Sequence, residues 1–185
     1  MCGLRPCSCP AIACWMSSVR IREANAADAE GIASVHVRAW QAAYSGLLPE
    51  GVIVAHARKR RGWWASYLEQ PDPREHVLVA LADERIAGFA STRPSPDEDA
   101  EADTAEISGL YVDPDAWGQG FGGALLESAL GQLRCDGFKA ATLWVLAAND
   151  RARRFYEKRN WMRDGAERVH PDRGAAELRY MMSLD

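Results

Sequence analysis

The run EISGLYV (106–112) reads as a strand, passes through DPDAW into four glycines within six positions (118–123), and continues directly into the helix-forming run ALLESAL. A glycine cluster that opens a helix leaves the first-turn N–H groups without internal acceptors, and glycine lets that backbone approach a ligand closely. The helix dipole adds partial positive charge at the same point. Such a stretch is suited to hold a phosphate group. It also fixes a strand–loop–helix unit around which the rest of the chain must be arranged.

The remaining elements follow from periodicity and punctuation. VRIREA alternates as a first strand, and Asn25 or Asp28 can cap the helix AEGIASVHVRAWQAAY, which Gly46 and Pro49 end. A second helix is expected over 50–69, closed by Pro71 and Pro73. HVLVALAD and RIAGFASTRP read as a hairpin around DER, and an acidic loop spans 96–105. After the glycine helix, which runs to Cys135 and is ended by Gly137, come the strand KAATLWVLA, the helix NDRARRFYEKR and the strand ELRYMMSL. The order is β-α-α-β-β-β-α-β-α-β, an α/β (α+β) chain with a mixed central sheet flanked by helices.

With 185 residues, the chain has room for one well-buried domain, expected over 16–185. A net charge of −4 gives no overall reason to bind nucleic acid, and no apolar run approaches the length of a membrane span. Cys2, Cys7, Cys9 and Cys14 crowd the first fourteen residues without the paired short spacing of a zinc knuckle, so residues 1–15 read as a disordered extension and no metal site is expected. Pro6, Ser8 and Pro10 interrupt the apolar stretch that a signal peptide needs, which points to the cytoplasm.

Gly118-x-Gly120-x-x-Gly123 satisfies the dinucleotide fingerprint literally, but the context does not fit. DPDAW separates the strand from the first glycine, only about sixty residues follow, and the acidic residue expected about 20 positions on at a strand end is missing. No Gly-Lys-Ser/Thr follows, so a P-loop is excluded.

EISGLYVDPDAWGQGFGGALLESAL followed by NDRARRFYEKRNW instead resembles the GNAT family of acyl-CoA-dependent N-acetyltransferases, and with the preceding element order the likeness spans about residues 17–185. The resemblance implies a mostly antiparallel sheet, acetyl-CoA as cosubstrate, and a primary amine as acceptor, with a homodimer compatible. Its Gln/Arg-x-x-Gly-x-Gly/Ala loop falls on Trp117, Gly118, Gln119, Gly120, Phe121 and Gly122, followed by Gly123, so tryptophan stands where arginine or glutamine is usual. A shifted reading from Gln119 through Gly122 to Ala124 restores the literal pattern. Either way the main-chain N–H groups of this loop would hold the coenzyme A diphosphate.

Ser108-Gly109 interrupts an apolar strand, as a bulge does. In the resembling family this strand splays from its neighbour, the pantetheine arm pairs with backbone at Leu110, Tyr111 and Val112, and one N–H there polarises the thioester carbonyl. Glu106, at the mouth of the strand, is the candidate base for the attacking ammonium, directly or through water. The family pattern Asn-x-x-Ala-x-x-Phe-Tyr-Glu falls on Asn149, Ala152, Phe155, Tyr156 and Glu157. It implies that Asn149 bonds the pantetheine arm and that Tyr156 gives a proton to the departing thiolate. The usual closing Gly-Phe is Asn160-Trp161 here, and asparagine tolerates the left-handed backbone that a helix end needs.

Other features read as structural. Arg58, Lys59, Arg60 and Arg61 beside Trp63 and Trp64 suggest a solvated face and a buried stripe rather than a nucleic-acid patch. Asp97, Glu98, Asp99, Glu101 and Asp103 read as a solvated loop, or as a surface that steers a cationic amine. His36, Arg38, Trp40 and Tyr44 lie where family members build the acceptor pocket, although core packing explains the two aromatics equally well. The expected activity is direct transfer in a ternary complex, with a non-catalytic acyl-CoA-binding module as the alternative.

Overall fold

The computed structural model describes residues 19–70, 72–170 and 174–185. The extension expected over 1–15 with its four cysteines, the side chain of Arg61, and Pro71 lie outside the described residues. The strands are β1 (Arg20–Glu23), β2 (His76–Ala82), β3 (Arg85–Pro94), β4 (Thr104–Val112), β5 (Ala140–Leu146), β6 (Met162–Val169) and β7 (Ala176–Ser183). The helices are α1 (Ala29–Tyr44), α2 (Glu50–Glu69), α3 (Phe121–Cys135) and α4 (Asp150–Glu157). They build one seven-stranded sheet in the order β1-β2-β3-β4-β5-β7-β6. Every neighbouring pair is antiparallel except β4 and β5, which run parallel.

The order matches the sequence expectation with one addition, β6. This strand is charged and mostly exposed, it carries Gly165 at φ +97°, and its pairing with β7 shifts between Arg163 and Glu167. An edge strand protected by charge and irregularity lacks the apolar alternation by which strands are recognised.

Local chemistry accounts for the other boundaries. Asn25 accepts from the Ala27 N–H, while Asp28 accepts from the Asn25 N–H and from Arg22, which sets the 3₁₀ turn leading into α1. The β2–β3 hairpin turns on Asp83 and Glu84, both at positive φ, the geometry that a two-residue turn between twisted strands requires. Gly137, at φ +86°, ends α3, and the Phe138 N–H returns to the Leu133 carbonyl.

The two faces of the sheet are covered differently. Leu125, Leu126, Ala129 and Leu133 of α3 pack on Ala105, Ile107, Leu110 and Val112 of β4. On the other face, Ile32 and Val35 of α1 and Trp64 and Leu68 of α2 cover Val79, Phe89 and Tyr111. Trp64 is buried while Trp63 stays half-exposed beneath the Arg60 guanidinium, the divided helix that the basic and aromatic run implies.

Candidate active site

A β-bulge and a short parallel ladder open the sheet. Along β3 and β4, Ser91 faces Gly109 and Thr92 faces Ile107, so Ser108 is the extra residue, and its hydroxyl bonds that of Ser91 at 2.9 Å. The parallel pairing of β4 with β5 covers only Thr104–Glu106 against Ala140–Thr142. Beyond Glu106 and Thr142 the strands part. A cavity of about 720 Å³ fills the gap, lined by β4 from Ile107 to Val112, by Leu143 and Trp144 of β5, and by the residues preceding and opening α3 and α4.

The glycine loop forms one end of this cavity. Gly118 and Gly120 have φ of +80° and +92°, and Gly120 caps α3 without any side-chain bond to the first turn. The first-turn N–H groups of α3 therefore have neither internal acceptors nor a side-chain cap. Trp117 anchors the loop by donating its indole N–H to the Val112 carbonyl at 2.7 Å. Arg38 of α1 holds the preceding turn from the other side, bonding Asp113 at 2.8 Å and Asp115 at 2.7 Å. Burial disfavours the Asp113 charge, but its bonds from Arg38 and from the Asp115 N–H outweigh this and keep its carboxyl below the usual range.

Tyr156 lines the same cavity from α4, packed edge-on against Phe155 and Trp161. Burial raises its phenol pKa well above the ordinary value, with a smaller contribution from Tyr111. Asn160 adopts φ +63°, so the asparagine takes the left-handed position expected at this helix end, and Trp161 is buried. Asn149 also lines the cavity, and its side-chain oxygen accepts from the Ala152 N–H at 3.1 Å as the cap of α4.

Of the sequence candidates, Leu110, Tyr111, Val112, Trp117, Gly118, Gly120, Phe121, Gly122, Gly123, Asn149 and Tyr156 come together on the cavity wall. Glu106, Gln119 and Ala124 do not line it. Gln119 donates its side-chain amide to the Asp115 carbonyl, away from the cavity, and Ala124 begins the second turn of α3. Glu106 is buried at the last paired step of β4 and β5, where the strands part, and accepts from Arg93 Nε at 2.7 Å. By strand alternation it belongs to the face covered by α1 and α2.

Three features escaped sequence reasoning. Arg151 lies with its guanidinium carbon 3.4 Å from the centroid of the Trp117 ring, and Arg159 lies over Phe155 at 3.9 Å. The third is the acidic loop, which is not merely solvated. Arg179 of β7 bonds Asp99 at 2.6 Å, Asp164 at 2.6 Å and Asp97 at 3.2 Å, while the Trp144 indole donates to Asp97. The pairing with Arg179 lowers the Asp99 carboxyl. The charge pattern near Asp97 and Asp99 was visible in the sequence, but its partner lies about eighty residues away.

The sequence model of the acetyltransferase (GNAT) family matches residues 36–161. An uncharacterised N-acetyltransferase of Mycobacterium tuberculosis is 32% identical over 140 residues, covering 75% of this chain and 85% of the relative. The fold is similar to that of the PaiA N-acetyltransferase of Thermoplasma acidophilum, solved in complex with coenzyme A, with a TM-score of 0.76, 21% identity and coverage of 90% of this chain and 99% of that one. It is also similar to the ribosomal-protein-S18-alanine N-acetyltransferase of Escherichia coli, with a TM-score of 0.65, 22% identity and coverage of 91% and 95%. A family match across both the splayed strand and the glycine loop, together with this relative, shows that the chain belongs to the acetyltransferase (GNAT) family of acyl-transferring enzymes.

Proposed function

We propose that the protein moves an acetyl group from acetyl-CoA to a primary amine by direct attack in a ternary complex. The observation that carries this reading is the convergence of the parted β4 edge, the uncapped N-terminus of α3 and the Tyr156 phenol on one cavity. The residues present fit the cosubstrate: the loop before α3 offers backbone N–H groups to a diphosphate, and the β4 edge offers unpaired backbone to an extended arm. Acetyl-CoA supplies the activated acyl group.

In this reading the chain's own groups do three things. A main-chain N–H in the Leu110–Val112 segment polarises the acyl carbonyl, which needs only a well-aimed donor in a dry site. Glu106 takes the proton that the ammonium must lose, through water, because its carboxylate lies outside the cavity wall. Tyr156 gives a proton to the departing thiolate. At neutral pH the phenol carries the proton, as an ordinary phenol does; burial makes it a weaker acid, so its role in this reading comes from its place on the cavity wall.

Thiol release measured against a panel of amines tests the reading. Initial-rate lines at varied amine should intersect, as sequential addition requires, and Cys135→Ser should leave the rate unchanged, because Cys135 closes α3 at the end opposite the glycine loop. Parallel lines, or no release with any amine, would contradict direct transfer.

A further inference from the structure

The departure at Trp117 removes the side chain that the loop pattern usually carries, and a neighbouring helix brings a cation to the same place. Arg151, in the first turn of α4, holds its guanidinium carbon over the Trp117 ring, 3.4 Å from its centroid, and both residues line the cavity beside Gly118 and Gly120. The ring is fixed by its bond to the Val112 carbonyl, so it forms a rigid seat at the edge of the loop.

Among the described residues, Arg151 makes no ion pair or hydrogen bond. Its neighbour Arg153, by contrast, bonds Tyr180, the Ala147 carbonyl and Asp150. Packing on Trp117 lowers the Arg151 pKa, and burial is its sole cause. Arg151 is exposed and has no carboxylate partner among the described residues, so its charge is open to an arriving anion. The charged side chains on the cavity wall are Asp150, Arg151 and Arg159, and Asp150 is paired with Arg153. Arg159 Nη2 stands 3.1 Å from where a Cβ on Gly123 would lie, beside the first turn of α3. The wall thus presents two guanidinium groups and a helix N-terminus around one loop.

We infer that Arg151, seated on Trp117, binds the nucleotide phosphates of the acyl carrier and supplies the side-chain charge that the loop itself lacks. The inference rests on the acyl-CoA reading given above. It makes Arg151 and Trp117 a functional pair: the tryptophan anchors the loop and aligns the cation, and the helix provides the charge.

Calorimetric titration of the full chain with coenzyme A and with 3′-dephospho-coenzyme A tests it. Arg151→Met keeps an apolar stem against the ring without the charge, Arg151→Lys keeps the charge, and Arg154→Ala serves as a surface control. Losing a charge-assisted contact to phosphate should weaken coenzyme A binding about tenfold or more in Arg151→Met, with partial recovery in Arg151→Lys and a change under about twofold in Arg154→Ala. A penalty that persists with the 3′-dephospho ligand assigns the contact to the diphosphate, and one that vanishes assigns it to the 3′-phosphate. Either result supports phosphate recognition. If the unsubstituted protein binds coenzyme A and Arg151→Met binds it equally well, the inference is wrong while the acyl-CoA reading stands. If the unsubstituted protein binds neither ligand, both fall.

Discussion

Tyr156 and Thr92 show how differently two buried hydroxyl groups can be used. The Tyr156 phenol lines the cavity as the proton donor of the proposed transfer, so Tyr156→Phe should reduce turnover about a hundredfold while leaving acetyl-CoA affinity within about twofold, in a steady-state assay paired with a titration. Unchanged turnover would remove Tyr156 from the chemistry. Thr92 is fully buried on β3, and its hydroxyl finds no hydrogen-bond partner among the described residues. Thr92→Val should therefore be neutral or stabilising by about 1 kcal/mol in a denaturant melt, because an orphaned donor disappears at nearly constant shape. Much of the site was legible at this scale. Gly118, Gly120 and Asn160 adopt the left-handed backbone that their residue types favour. The seat of Arg151 on Trp117 was not legible, because a contact between side chains 34 positions apart leaves no periodic trace.

At the scale of elements, the loop and α3 form one unit. Gly120 caps α3 at φ +92° with open space around its Cβ direction, so Gly120→Ala meets no clash and pays only for the backbone conformation, about 1–2 kcal/mol. The variant should fold with a lowered melting temperature and bind acetyl-CoA more weakly, since relief of that strain rotates the N–H groups at the helix start. Gly88 is a contrasting case: an added Cβ would stand 2.9 Å from the Tyr111 carbonyl oxygen on the neighbouring strand, so Gly88→Ala should force β3 and β4 apart and cost about 1–3 kcal/mol. Strands β1 to β5 and β7 and helices α1 to α4 were legible from their apolar patterns and recognisable stops. The bulge at Ser108 was announced by Ser108-Gly109. Strand β6 was not announced, because its pairing depends on β7 rather than on any apolar face of its own.

Across the whole molecule, charged side chains join segments distant in sequence. His76 of β2 links Glu23 of β1 at 3.2 Å to Asp136 at the end of α3 at 2.9 Å. Its bond to Glu23, more than the nearby Asp136, raises its pKa above the ordinary 6.5 despite the opposing effect of burial. A folded-state pKa above the unfolded value means that the bridge contributes fully below about pH 6.5 and is lost as pH rises through the folded value. Chemical melts should show this increment disappearing as pH rises above about 6.5 in the native protein but not in His76→Gln. Arg179 ties the β3–β4 loop to β6, so Arg179→Met should release Asp97, Asp99 and Asp164 and destabilise the fold by about 3 kcal/mol, as breaking a part-buried ionic network does. No helix among the described residues is long and apolar enough to cross a membrane.

Calorimetric titration of the protein with acetyl-CoA, with NAD as the comparison ligand, tests the central claim most directly. The cavity beneath the glycine loop should bind acetyl-CoA in the micromolar range and leave NAD unbound. Saturation by NAD, or by neither ligand, would contradict the assignment of that loop to the diphosphate of an acyl carrier.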